Sequence, residues 1–210
     1  MRKKTVARIG IFLALAIIVM GAKCPKIPDT HEINITLVTE ESIEITFEAR
    51  GSMNVDSNVA FINIDELRQD LEDAEIRTDL ITAIRVSKVE YGVVAYNEEG
   101  TDRQIVGAEV TLKRPDEGTS AVLVSGLDAE VYPKLGKLVP VPTQPGGIAY
   151  INDLLADVLD AIQSGGTSGL AVYGTSSGTS EPTDRASNFD WRIRIYYQIA
   201  GGMPTDVPDF

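Results

Sequence analysis

Over most of its length the chain sets apolar residues at every second position, the period of a strand with one buried face. The clearest case runs through residues 189–199. Phe189, Trp191, Ile193, Ile195, Tyr197 and Ile199 share one face, and Asp190, Arg192, Arg194, Tyr196 and Gln198 share the other. Near the start, Ile33, Ile35 and Leu37 alternate, the polar stretch Thr39-Glu40-Glu41-Ser42 follows, and Ile43, Ile45 and Phe47 alternate again. Two such runs around a short polar stretch predict a β-hairpin. Between Ile84 and Tyr96 the apolar phase changes at Ser87-Lys88, which predicts a long strand with a bulge. Residues 105–112 and 121–124 continue an antiparallel meander through polar turns at 97–102 and 114–118.

Two segments change period. Asn63 is a helix cap with Glu66 three residues on, and Ile64, Leu67 and Leu71 then recur at helical spacing. Ile151, Leu154, Leu155, Val158 and Ile162 form a second stripe, with Asp153, Asp157 and Asp160 off it and Gly165-Gly166 as its stop. The Pro- and Gly-rich stretch 132–147 reads as a long connection lying against the protein. Residues 169–173 read as a strand, and the Ser/Thr/Gly run 175–182 as a loop. The expected fold is mainly β: one antiparallel β-sandwich of about seven or eight strands over residues 33–210, with two short helices in its connections.

The first residues follow another logic. A basic head, Arg2, Lys3, Lys4 and Arg8, precedes an apolar run from Ile9 to Ala22, and Cys24, the one cysteine of the chain, stands two residues later. The run is short for a membrane span, which takes about 20 residues. Residues 1–23 therefore read as a cleaved export signal. This segment resembles bacterial lipoprotein signal segments, which implies lipid attachment at Cys24, a tether over 24–32, and a place in the cell envelope facing periplasm or exterior. The resemblance covers only these two dozen residues. It departs from the family's lipobox at Lys23, where that family carries a small residue.

Charge narrows the partners. The chain carries 31 acidic and 19 basic residues, a formal charge of −12. The signal holds Arg2, Lys3, Lys4, Arg8 and Lys23 and no acid, so the part that folds is more acidic still. Such a surface repels phosphate backbones and anionic headgroups, which excludes nucleic acid as a partner and leaves acyl chains as the means of membrane attachment. A single cysteine allows no disulfide within the chain.

Candidate chemistry is sparse. His31, the one histidine, sits in the tether, badly placed for a rigid catalytic base. One His and one Cys cannot ligate zinc or a redox metal. No cofactor is expected; calcium alone stays open, through the oxygen-rich segments 54–58 and 97–102, neither of which has EF-hand spacing. Trp191 shares the apolar phase of its strand and reads as core, not as a sugar platform. The outward stripe Arg192, Arg194 and Tyr196 is either a small patch for an anion or a partner, or a strand face paired across the ladder to glutamates. Cross-strand logic favours the second, with Glu44 and Glu48 of the early hairpin as the matching acids.

These features predict a non-catalytic, lipid-anchored envelope protein with a binding or structural role toward a protein or small molecule. Two alternatives remain. A subunit of an appendage or other assembly would show an unpaired edge strand or a donated terminal segment. A small carboxylate-based hydrolase would show acids converging in a cleft with raised pKa values. Metabolic labelling with a fatty acid is expected to mark the wild-type chain and to be lost in Cys24→Ser; label that persists in the variant excludes attachment at this residue.

Overall fold

The computed structural model describes residues 35–51, 56–74, 76–115, 117–167 and 169–203. The signal 1–23, Cys24, the tether 24–32 with His31, and Ile33 lie outside these residues. In chain order the elements are β1 (Ile35–Gly51), β2 (Asp56–Ile62), α1 (Ile64–Asp73), β3 (Ile81–Tyr96), β4 (Gln104–Lys113), β5 (Ser120–Glu130), β6 (Leu138–Pro140), α2 (Pro145–Ser164), β7 (Leu170–Glu181) and β8 (Ser187–Met203).

The strands form two antiparallel four-stranded sheets, β1-β8-β3-β6 and β2-β7-β4-β5, packed face to face. The expected sandwich is therefore present, and its strand order is that of an eight-stranded jelly roll, two Greek keys wound together. Antiparallel register places both ends of the described fold together, since Ile35 faces Met203. The loops after β3, β5 and β7 gather at the opposite end.

The core follows from the alternation. Phe189, Trp191, Ile193, Ile195, Tyr197 and Ile199 of β8 are all buried, as are Ile43, Ile45, Phe47 and Ala49 of β1. Trp191 lies 4.9 Å from Phe47 and 5.9 Å from Tyr91, ring centre to ring centre. Strand β7 answers these aromatics with small residues: a Cβ on Gly174 would stand 2.9 Å from Ile45 and 3.2 Å from the Phe47 ring. Large side chains of one sheet thus fit against small ones of the other.

Two sequence expectations change here. Thr39-Glu40-Glu41-Ser42 is not a hairpin turn, because β1 runs through it without a break, each residue paired in register with β8. The apolar positions on either side are all odd-numbered, the parity of one continuous strand, and β8 offers a full-length partner. The run 175–182 is not a loop either; β7 continues to Glu181. Its inward positions hold Gly174, Ser176 and Ser180, which the packing requires to be small, while Thr175 and Thr179 point outward, where β-branched residues suit a strand. The bulge expected near Ser87-Lys88 is present as a register shift between Val86 and Lys88.

Both helices close gaps. Asn63 caps α1, its side chain accepting from the Asp65 and Glu66 amides, and Ile64, Leu67 and Leu71 are buried. Helix α2 begins earlier than the apolar stripe suggested, at Pro145, a residue suited to the first turn because it has no amide to satisfy. Its stripe from Ile151 to Ile162 is buried, Asp153, Asp157 and Asp160 are exposed, and Gly165 ends it in the left-handed conformation. It bridges the two sheets: the Val86 amide donates to Asn152 Oδ1 at 2.9 Å, and Gln163 Nε2 donates to the Ile81 carbonyl at 2.9 Å. On the other side a Cβ at Gly147 would stand 2.4 Å from the Leu123 Cα.

Leu155→Ala is expected to lower unfolding free energy by about 2–5 kcal/mol in a urea titration, the range for a fully buried leucine. Gly147→Ala should also destabilise, since its methyl group would meet main chain that cannot step aside.

Candidate functional site

The stripe expected on the outer face of β8 is present and largely neutralised. Arg192 and Arg194 leave the sheet opposite the core, and Glu44 of β1, paired with Arg194 in register, reaches both. Its two carboxylate oxygens accept from Arg192 Nη1 at 3.1 Å each, and Oε2 accepts from Arg194 Nε at 2.9 Å and from Arg194 Nη2. Lys88 Nζ lies 4.0 Å over the Tyr196 ring. Glu40 accepts from Ser87 Oγ at 2.8 Å and has Lys88 Nζ at 3.9 Å. Glu48 stands opposite Asp190, not an arginine, and is answered by Arg50 at 3.5 Å. Half-exposed pairs of this kind contribute about 0.2–1 kcal/mol each, so they select the neighbour more than they hold it.

A second feature lies on the inward side of the same edge strand. Thr39 and Glu41 of β1, with Leu67, Asp70, Leu71 and Asp73 of α1 and Ala74 and Ile76 after it, line a mostly apolar cavity of about 140 Å³. Burial, and then the neighbouring Asp70 carboxylate, push the Glu41 pKa up. Among the described residues no cation pairs with either acid: Arg68 is held by Asp65 and the Gly166 carbonyl, and Arg77 by Asp79.

The main chain of β1 between these two flanks is open. Glu48 N donates outward to Asp56 Oδ2 at 2.7 Å, and the Thr46 carbonyl accepts from Asn58 Nδ2 at 2.8 Å. Main-chain groups of even-numbered residues therefore point away from β8. Those of Glu40, Ser42 and Glu44 point the same way, and they meet no partner among the described residues.

Sequence reasoning missed the polar centre at the far end of the sandwich. Arg103, fully buried, donates from Nε to Glu98 Oε2 at 2.7 Å, from Nη1 to the Pro182 carbonyl at 2.6 Å, and from Nη2 to the Ala186 carbonyl at 3.0 Å. Glu98 Oε1 in turn accepts from the Asn188 amide at 2.8 Å. One guanidinium so ties the β3–β4 loop to the β7–β8 loop. No pattern marks Arg103 in the sequence, because its partners are mostly carbonyls, which any sequence supplies. Ion pairs occupy two of the three acids of the 97–102 segment considered for calcium, since Glu98 serves Arg103 and Asp102 serves Arg185. In the other such segment, residues 54 and 55 lie outside the described residues, and Asp56 is engaged by the Glu48 and Ser57 amides. Among the described residues no three His, Cys, Asp or Glu side chains gather to hold a metal, and no helix is long and apolar enough to cross a membrane.

No family model and no curated protein matches the chain. Among solved structures it is similar to turnip yellow mosaic virus, at 12% identity over 91% of this chain and 93% of that one, with a TM-score of 0.31. It is also similar to desmodium yellow mottle tymovirus, at 9% identity over 90% and 99% with a TM-score of 0.28. A decameric BFDV capsid protein matches at 12% identity over 79% and 99%, with a TM-score of 0.30. Overlap at that level decides nothing about function.

Arg103→Ala is expected to cost about 3–5 kcal/mol in chemical denaturation, because it strands the Glu98 carboxylate and loop carbonyls in a dry site. Glu41 should behave in the opposite sense. Its raised pKa means folding favours its protonated form, so its stabilising contribution is complete below the ordinary carboxylate range and is lost as pH rises through its folded value. Glu41→Gln should therefore melt above wild type at pH 7, with the gap closing below about pH 4.

Proposed function

We propose that the chain is an exported, non-catalytic envelope protein, held at a membrane by acyl chains on Cys24, whose jelly roll engages a protein partner or a neighbouring subunit through the edge of β1. The observation that carries this reading is the main chain at Glu40, Ser42 and Glu44, which meets no partner among the described residues. Exposed strand edges are usually short, charged or covered, since they pair with whatever strand they meet. Parts of the edges at β6, β5 and the later half of β1 are managed in those ways. β6 has three residues, the Leu123 carbonyl of β5 is taken by the Gln144 amide, and the later half of β1 is capped by Asp56 and Asn58. A stretch of edge that meets no partner among the described residues, beside stretches that are short or capped, supports a docking role.

For the hydrolase alternative, Glu41, Asp70 and Asp73 are acids that stand beside a cavity among the described residues. At about 140 Å³ that cavity is well short of the roughly 300–1,000 Å³ usual for small-molecule sites, which favours a bound side chain over a bound substrate. The jelly roll hosts too many functions to weigh in either direction.

A photo-reactive amino acid at position 42, in cells that export the protein, should give a discrete cross-linked adduct, whereas one at Thr179, on the outer face of the other sheet, should not. No adduct at position 42, or the same adduct at both, overturns the proposal.

A further inference from the structure

The open edge of β1 has two unlike sides, and the difference specifies what docks. On the outer face the carboxylates are already answered: Glu44 by Arg192 and Arg194, and Glu40 by Ser87 and Lys88. On the inner side, Glu41 and Asp70 stand beside an apolar cavity walled by Leu67, Leu71 and Ile76, with no cation against them among the described residues. A strand added to this edge would alternate its side chains between the two sides. Its outward side chains would meet a neutralised ladder, and its inward ones would meet apolar walls and three carboxylates, those of Glu41, Asp70 and Asp73.

We infer that the edge takes an extended segment of a partner protein bearing a lysine or arginine on its inward phase, flanked two residues away by aliphatic side chains. The long stem of such a residue suits the apolar walls and its charged head the carboxylates, an arrangement for which these side chains are built. A second copy of this chain fits poorly, because two β1 edges brought together would set Glu41 and Asp70 of one copy near those of the other. This inference rests on the docking role proposed for β1 and adds the chemistry of the partner.

The test uses the residues from Cys24 onward, without the signal, and two fluorescent nine-residue peptides of alternating valine and threonine, one carrying a central lysine on the valine phase and one without it. The lysine peptide should bind at least tenfold more tightly than the neutral one, and Glu41→Gln combined with Asp70→Asn and Asp73→Asn should remove that preference while leaving the neutral peptide's affinity unchanged. Ser42→Pro, which deletes an outward amide and leaves the ladder to β8 intact, should abolish binding of both peptides. If its circular dichroism or melting departs from wild type, Glu40→Pro serves instead, since its amide points the same way. Equal binding of the two peptides to the wild type overturns the charge inference and leaves the edge reading standing. Binding of neither peptide, or binding that survives both proline variants, overturns the edge reading itself. Light scattering that shows a dimer split by Ser42→Pro identifies the occupant as a second copy and overturns the basic partner.

Discussion

Strand β8 must keep six large residues inside together, and the larger sheet takes its shape from that demand. It lies between β1 and β3, so both neighbours inherit its register. A slip of one residue would turn Trp191 and Ile193 out to water and carry Arg192 and Arg194 into the core, at several kcal/mol for each unpaired guanidinium. With β8 so fixed, β1 pairs along its whole length without a bulge, whereas β3 accommodates through three register shifts. The aromatics that β8 and its neighbours hold inward then dictate the other sheet, where β7 must present Gly174 and Ser176 for the two layers to close.

Regular, one-sided burial is what the amino-acid pattern reveals well. The alternation over 189–199, the capping box at Asn63, the stripe of α2 and the bulge in β3 are each set by a local period or a local hydrogen bond. The misread segments have a common cause: their side chains answer to something distant. Glu40 and Glu41 look like a turn until β8 supplies a partner for every residue, and the small residues of β7 look like a loop until the Phe47 ring is seen against them. Strand β2 escaped notice because only Ala60 and Ile62 are buried, while Phe61 stands 70% exposed on the far side. Nothing in such a segment separates inside from outside at short range.

The same division holds for the charged groups. Pairing of the last strand with the early acidic one was legible because Arg192, Arg194 and Glu44 sit at fixed parity on two strongly alternating strands. The cavity beside Glu41 was not, since it needs β1 and α1 brought together, and Arg103 was not, since a guanidinium that binds carbonyls leaves no signature. Acids are abundant in this chain, and sequence alone cannot tell a carboxylate that is already answered from one that still faces an open groove.

The pairing of β1 with β8 also has a kinetic side. Glu44 and Arg194 are 150 residues apart, and every rung of that ladder joins the first strand of the fold to the last. Contacts of such separation form slowly, because closing so long a loop costs entropy before any of the ladder repays it. Nor can they form early on a growing chain, since β1 emerges first and has no partner until β8 is complete. For as long as the chain is unfinished, the sheet stays open and both edges of β1 are available to chaperones and to mispairing alike. A fold that cannot close from one end is correspondingly exposed while it waits.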